Sequence, residues 1–292
     1  MRVVITGSDG QLGQCLVRQL NGRTEVFPLN REQLDICDGR SVEEIFSSLK
    51  PDIVINTAAY TAVDKAESDP KVAYLANEQG PKLLAKACHK YGSTLIHIST
   101  DYVFNGNKQT SYVEQDRPDP CNVYGMSKLA GEKAVQSCCS QYYILRTSWV
   151  FSEFGSNFVK TMLKLGRERE QLGVVADQFG GPTYAGDISL VISQLIEHLE
   201  RNDVLDYGIY HFSGEPYVSW FEFAQEIFSL AYKQGVIKKE VLLKPLSTFE
   251  YPTAAKRPNN SRLSNRKIET HLKLGPKSWK SVLKQLDIYM EQ

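Results

Sequence analysis

The stretch VVITGSDGQLGQCL, Val3 to Leu16, decides the fold: a β-branched run leads into Gly7, Gly10 and Gly13, spaced GxxGxxG, and then into a helical pattern. Glycine is what dinucleotide chemistry needs here. Side chains would hold the backbone away from a pyrophosphate, and the helix that follows offers unpaired N–H groups to an anion. A glycine triplet alone is a weak sign. Placed after a first strand and inside a βαβ unit, it reads as a dinucleotide-binding turn. The plainer reading is a tight turn that binds nothing.

Working outward, short aliphatic runs alternate with helical patterns: RVVIT, a helix over Gln11 to Leu20, EVFPL, a helix over Ser41 to Leu49, then DIVINTA, STLIHIST and YYILRTS. That rhythm predicts an α/β fold, a Rossmann-like doubly wound parallel sheet whose strands are buried on both faces. The segment KVAYLANEQGPKLLAKACHKYG predicts one helix that ends at Gly92 as its C-cap, with Asn77 and Lys86 on its polar face. Beyond residue ~150 the texture changes to aromatic and glycine-rich loops, amphipathic helices and a basic, proline-containing stretch, YPTAAKRPNNSRLS. These pieces predict a smaller, discontinuous C-terminal α/β substrate domain. The expected division is 1–150 and about 173–215 for the dinucleotide domain, and about 151–172 and 216–292 for the substrate domain.

The 292 residues carry 34 basic and 34 acidic side chains, so no charge excess points to nucleic acid or an anionic membrane as partner. The opening residues run straight into a strand and a glycine turn, without the charged and apolar regions of a secretory signal, and no apolar run is long enough to span a bilayer. A cytoplasmic enzyme is expected. Cys15, Cys37, Cys88, Cys121, Cys138 and Cys139 form no CxxC pair and no zinc-ligand spacing, so free thiols and no metal are expected. The adjacent Cys138 and Cys139 are read as free thiols at a helix end.

The second strand ends at Asn30-Arg31, where such a fold chooses between a ribose hydroxyl and a 2′-phosphate. No acid stands there and an arginine does, which favours NADPH over NADH without excluding the latter. Asp35 and Ile36 stand where a side chain and backbone can close over an adenine, although a helix N-cap near Asp38 or Ser41 explains the same cluster. Further on, NVYGMSKLAGE sets Tyr124 four residues ahead of Lys128, on one helix face, where the ammonium would lower the phenol's pKa. Some twenty-five residues earlier, HISTDYVF places Ser99, Thr100 and Asp101 at the carboxyl end of a strand, the rim at which open α/β sheets bind ligands.

The glycine turn, the strand-end Ser/Thr and the YxxxK helix together resemble the extended, nucleotide-sugar branch of the short-chain dehydrogenase/reductase superfamily. NTAAYTAVDKAE, STDYVFNG, NVYGMSKLAGE, RTSWVF, DQFGGPT and RPNNSRL, in order along almost the whole chain, resemble the dTDP-4-dehydrorhamnose reductases. The resemblance implies reduction of the C4 keto group of dTDP-4-dehydro-β-L-rhamnose to dTDP-L-rhamnose with NADPH or NADH, for polysaccharide biosynthesis. It implies that Gly10, Gln11 and Leu12 meet the pyrophosphate, that Asp35 and Ile36 flank the adenine, and that Ala58, Ala59, Tyr60 and Thr61 line the cofactor. Tyr124 would give the proton, Lys128 hold the nicotinamide ribose, and Thr100 hydrogen-bond the carbonyl. Thr100 and Asp101 would contact the sugar, Trp149 pack against the hexose, and Arg257 and Asn260 bind the diphosphate. From the residues alone, Trp149 is a core aromatic and Arg257 with Asn260 a solvated turn.

Tyr102 follows Asp101 where dehydratases of the superfamily place a second carboxylate, which favours simple carbonyl reduction. Gln14-Cys15 stands where some family members place a metal-binding glutamate at a dimer interface, so a homodimer stays open but a metal-dependent one is not expected. Two other readings remain: reduction of another dTDP-4-keto-6-deoxyhexose, and a non-catalytic regulatory subunit on the same fold.

Overall fold

Aliphatic runs flanked by glycine and asparagine make the strands, and capped amphipathic runs make the helices between them. The computed structural model describes residues 1–203, 205–275 and 278–290; the few other positions, which fall inside the expected domain ranges, lie outside the described residues. The chain runs β1 (Arg2–Thr6), α1 (Gln11–Leu20), β2 (Glu25–Leu29), α2 (Gly39–Leu49), β3 (Ile53–Asn56), α3 (Val63–Ala66), α4 (Pro70–Tyr74), a π-helical turn (Leu75–Gln79), α5 (Gly80–Tyr91) and β4 (Thr94–Thr100). It continues through α6 (Val123–Cys138), β5 (Tyr142–Thr147), β6 (Val150–Phe151), α7 (Phe158–Glu168), β7 (Gln171–Val175), β8 (Phe179–Gly180), β9 (Thr183–Tyr184) and α8 (Ala185–Glu200). The last elements are β10 (Gly208–His211), β11 (Val218–Ser219), α9 (Trp220–Lys233), β12 (Leu242–Leu246), β13 (Asn260–Ser261), α10 (Arg266–Leu272) and α11 (Trp279–Val282).

Six strands form one sheet in the order β10-β5-β4-β3-β1-β2, every pair parallel. Strand periodicity divides its side chains. Val3, Ile5, Ile53 and Ile55 pack against α1, α8 and α10, while Val4 and Val54 pack against α2, α5 and α6. The sheet is therefore doubly wound, as the alternation of runs predicts. A second core joins Phe151, Leu163, Leu172, Phe223, Ile227 and Trp279 from α7, α9, α11 and the strands beside them. Leu172 and Val174 of β7 belong to it, whereas Ile268 and Leu272 of α10 pack on the first.

Local chemistry sets the helix ends. Asp38 accepts from Arg40 N–H to start α2, Asn122 accepts from Gly125 N–H at 2.8 Å to start α6, and Ser219 with Glu222 forms a capping box on α9. Gly92, at φ 74°, closes α5 as expected. The segment before Gly92 is not the single regular helix of the sequence pattern. A π-helical turn interrupts it at Leu75–Gln79, and Asn77, expected on the polar face, is fully buried, while Lys86 is exposed. The interruption lets two helices touch backbone to backbone: a Cβ on Gly131 of α6 would stand 2.0 Å from the Asn77 carbonyl oxygen.

Gly131→Ala is accordingly expected to force α6 off the π-helical turn and to cost about 1–3 kcal/mol of unfolding free energy. Urea titration of the variant against the parent checks it, and equal midpoints would refute the close contact.

Candidate active site

The glycine turn is built by steric exclusion. Gly7 has φ 66°, and a Cβ there would lie 2.8 Å from the Ala58 backbone, while one on Gly13 would lie 2.4 Å from Gly7 O. Gly10 caps α1 without a side-chain hydrogen bond, so the first N–H groups of that helix, at Gln11 and Leu12, stay available to an anion. The Gln11 side chain is turned aside, its Oε1 accepting from Ser152 Oγ (3.1 Å) and Asn157 Nδ2 (3.0 Å).

Beside this turn lies a cleft of about 490 Å³ lined by Asp9, Asn30, Arg31, Glu32 and Asp35. Asn30 Oδ1 accepts from the N–H groups of Glu32 and Gln33, which curls the loop and leaves Arg31 exposed on its rim. Asp38 takes the N-cap of α2, whereas Asp35 instead closes a turn on Cys37 N–H. Ile36 is buried against Gly80.

Loop residues Ala58, Ala59, Tyr60 and Thr61 follow β3 over the same rim, and Asn77 pins them there. Its Oδ1 accepts from Tyr60 N–H (2.8 Å), and its Nδ2 donates to Tyr60 O and to Ser127 Oγ, both at 3.0 Å. Ser127 Oγ donates in turn to Tyr124 O at 2.8 Å. A residue read from sequence as an ordinary polar-face asparagine thus joins the cofactor-side loop to the YxxxK helix. Only its helical spacing from Ala73, Tyr74, Gly80 and Pro81 could have signalled burial.

Thr100 ends β4, and Tyr124 sits in the first turn of α6 with Lys128 one turn later. The Thr100 hydroxyl accepts from Tyr102 N–H (3.2 Å) and donates to Asp101 Oδ1 (3.1 Å). Tyr124 packs edge-on against Tyr102, with ring centroids 5.4 Å apart. Burial pushes the Tyr124 phenol above its ordinary pKa, the Thr100 hydroxyl pulls the other way, and Asp101 adds to the rise. The expectation that Lys128 lowers this pKa is not met in this arrangement. Lys128 Nζ donates instead to Ile98 O at 2.7 Å, and burial brings it down to about 8 against the opposing charge of Glu132. A phenol held protonated is suited to donate.

Behind the pair lies a network that the sequence did not announce. Glu132 and Arg146 are each about 1% exposed; Arg146 Nε reaches Glu132 Oε1 at 2.8 Å, and Nη2 reaches Oε2 at 2.6 Å. Ser99 Oγ donates to Glu132 Oε1 at 2.5 Å. His211 Nδ1 faces Tyr112 O at 3.2 Å, which makes it the donor and leaves Nε2 to accept from Arg146 Nη1 at 3.4 Å. Burial, and then the Arg146 charge, bring the His211 pKa down to about 3, so the ring is neutral.

Beside Thr100, Asp101 is 3% exposed, and its Oδ2 has no hydrogen-bond partner among the described residues. Trp149, at φ 48°, stacks on Trp220 with centroids 3.5 Å apart and planes 11° apart, over Gly180, whose missing Cβ makes room for the indole. Arg257 Nη2 donates to Asp64 Oδ2 at 2.8 Å, and its buried Nε is without a partner among the described residues. Asn260 Nδ2 donates to Lys108 O and Thr110 O, and its Oδ1 accepts from Arg262, so its amide is committed within the chain. It lines a second cleft, of about 380 Å³, with Lys108, Phe179 and Arg262. Among the described residues no His, Cys, Asp and Glu side chains gather as a metal-ligating group. All six cysteines are free, Cys138 and Cys139 among them.

This geometry has relatives. The family model described as the RmlD substrate binding domain matches residues 1–289. A dTDP-4-dehydrorhamnose reductase of Aggregatibacter actinomycetemcomitans is 47% identical over 99% of each chain. The chain belongs to the dTDP-4-dehydrorhamnose reductase family. The enzyme of that name from Escherichia coli K12 is 40% identical, over 98% of this chain and 97% of its own. A dTDP-4-dehydrorhamnose reductase of Bacillus anthracis, solved in complex with NADP, superposes with a TM-score of 0.91 at 41% identity over 98% of both chains. As a member of this family the protein is an oxidoreductase on a Rossmann-like fold, and no described helix is long and apolar enough to cross a membrane.

Two outcomes follow for the buried network of this reductase. Arg146→Met leaves Glu132 charged and unpaired, and is expected to cost about 3–5 kcal/mol in urea unfolding, with much of the loss recovered when Glu132→Leu is added. Unfolding free energies that simply add across the two sites would refute the pairing. Glu132→Gln removes the charge that holds Lys128 up, so the ammonium should titrate below the parent value of about 8 in a 15N NMR titration; an unchanged midpoint would count against the coupling.

Proposed function

We propose that this protein reduces the C4 carbonyl of dTDP-4-dehydro-β-L-rhamnose to give dTDP-L-rhamnose, with NADPH preferred over NADH, in the cytoplasm. The observation that carries the reading is the meeting of Thr100, at the end of β4, with Tyr124, in the first turn of α6, beside a glycine turn with an uncapped helix N-terminus. The B. anthracis relative, solved with NADP, supports the cofactor.

The residues present fit a dinucleotide. The backbone at Gly7, Gly10, Gln11, Leu12 and Gly13 receives the pyrophosphate, because any Cβ on Gly7 or Gly13 would collide with the turn. Arg31 and Asn30, which line the first cleft with Asp35, would hold the adenosine ribose, and Asp35 with the neighbouring Ile36 would flank the adenine. Ala58, Ala59, Tyr60 and Thr61, a loop held by Asn77, would line the nicotinamide half, and Lys128 would hold the ribose there. When bound, the reduced nicotinamide supplies the hydride. Tyr124 gives its phenolic proton to the C4 oxygen as negative charge develops on it, and Thr100 hydrogen-bonds that oxygen.

The second core would form the substrate domain; it takes in Leu172 and Val174, on either side of the expected break near 173, and leaves Ile268 and Leu272, from the expected substrate range, on the first core. Trp149, braced by Trp220, offers its indole to the hexose, Asp101 faces the sugar, and Arg257 brings a cation to the diphosphate. Asn260 acts there through the loop it ties down.

The test is loss of reduced-cofactor absorbance on adding the 4-keto sugar, run with NADPH and with NADH. Turnover with the sugar is expected, and binding without turnover would sink the reading. Tyr124→Phe should lower kcat by about 10²–10⁴-fold with cofactor affinity little changed. Near-normal turnover would remove Tyr124 as the donor. Arg31→Ala should narrow the preference for NADPH, and an unaltered ratio would refute the role given to Arg31.

A further inference from the structure

A threonine hydroxyl carries one proton and two lone pairs, and Thr100 directs its proton at Asp101 Oδ1 (3.1 Å) while one lone pair takes Tyr102 N–H (3.2 Å). The remaining lone pair can serve Tyr124, whose phenol interacts with the same hydroxyl. With Asp101 ionised, the hydrogen-bond chain runs inward from Tyr124 through Thr100 to the carboxylate. Both protons wanted at the substrate carbonyl are then turned away from it.

An ionised carboxylate is also poorly matched to this position. Asp101 is 3% exposed, and its Oδ2 has no hydrogen-bond partner among the described residues. A bare carbonyl oxygen of a neutral carboxyl is far less costly to bury than half of a carboxylate. We propose that Asp101 acts as a neutral carboxyl that donates its proton to Thr100 Oγ1, reversing the chain so that the Thr100 hydroxyl and the Tyr124 phenol both point at the C4 oxygen. Thr100 is then saturated, accepting from Asp101 and Tyr102 and donating to substrate. Asp101 and Thr100 keep their protons throughout, and the proton that moves is the phenolic one, from Tyr124 to the substrate oxygen. Asp101 is thus a positioning residue that works through Thr100.

The surroundings agree. Tyr102 packs from the same turn, Tyr124 from α6 and Ser261 from β13; Arg257 lies beyond Tyr102, paired with Asp64, and Lys128 is drawn away to Ile98 O. Burial outweighs the Ser261 and Thr100 hydroxyls and brings the Asp101 pKa up to about 6. The neutral form is favoured as pH falls.

This inference rests on the reductase reading, and the experiment separates the two. With the 4-keto sugar prepared beforehand, kcat/KM of the wild type is expected to fall as pH rises through about 6. Asp101→Asn, whose amide donates to Thr100 at every pH, should lose that limb and stay within about tenfold of the wild-type acid plateau, whereas Asp101→Leu should lose about 10²-fold or more. A flat wild-type profile, or an Asn variant that keeps the limb or falls as far as the Leu variant, would overturn the proposal. Absence of turnover by the wild type at every pH would instead refute the reductase reading. The proposal is then decided by infrared difference spectra of wild type against Asp101→Asn. A neutral-carboxyl band assigned to Asp101 should be present in acid and lost in alkali, and its absence in acid would refute the proposal.

Discussion

The active-site geometry depends on one buried ion pair. Glu132 and Arg146, each about 1% exposed, meet through two charge-assisted hydrogen bonds under α6. Taking two charges out of water costs several kcal/mol per ion unless every lone pair and proton is matched. Here the matching comes from three strands: Ser99 on β4 donates to the carboxylate, Arg146 belongs to β5, and His211 on β10 accepts from the guanidinium. The pair therefore fixes the height and rotation of α6 over the carboxyl ends of the sheet. Tyr124 and Lys128 stand two turns and one turn before Glu132 on that helix, so their directions are set by the same contacts. The cost of the arrangement shows at His211, which is held neutral because the arginine beside it already carries the charge.

A second constraint acts from the opposite side of α6. Gly131 brings the helix backbone against the carbonyl of Asn77, and the Asn77 side chain then joins Tyr60 to Ser127. This fully buried asparagine has both amide protons and its oxygen engaged, which makes the π-helical turn around it part of the site rather than an irregularity. The loop after β3 and the first turn of α6 are consequently one rigid unit. Tyr60 and Tyr124 therefore cannot move independently of each other.

How much of this was legible depends on the range of the interaction. The helix over Gln11–Leu20, the Gly92 cap and the parallel strands were written locally, in periodicity and in glycines that a turn requires. Tyr124, Lys128 and Thr100 were legible as a motif because their spacing is local and their strand end could be placed. Asn77, Glu132 and Arg146 were not, since a mid-helix asparagine, a helical glutamate and a strand arginine each look solvated until the fold brings partners from 14 to 65 residues away. The same limit explains the reversed expectation for the Tyr124 phenol: helical spacing puts a lysine on its face, but only the packed structure shows that Lys128 bonds to Ile98 O and that burial dominates.

Trp149 shows how the two cores become one site. Its left-handed backbone is strained for a tryptophan, and such a conformation persists only where the surroundings over-determine it. They do so from both sides. β5 ends just before it in the first core, while Trp220 of α9, packed on the second core, stacks on its indole and Gly180 of β8 leaves the space below. Gln11 makes the reverse connection, from the start of α1 to Ser152 and Asn157 at the head of α7. The second core is thus tied to the glycine turn directly, by hydrogen bonds that the Gln11 side chain accepts. Displacing the second core would disturb the α1 N-terminus as well as the indole, so the two cores are mechanically tied through Gln11 and Trp149.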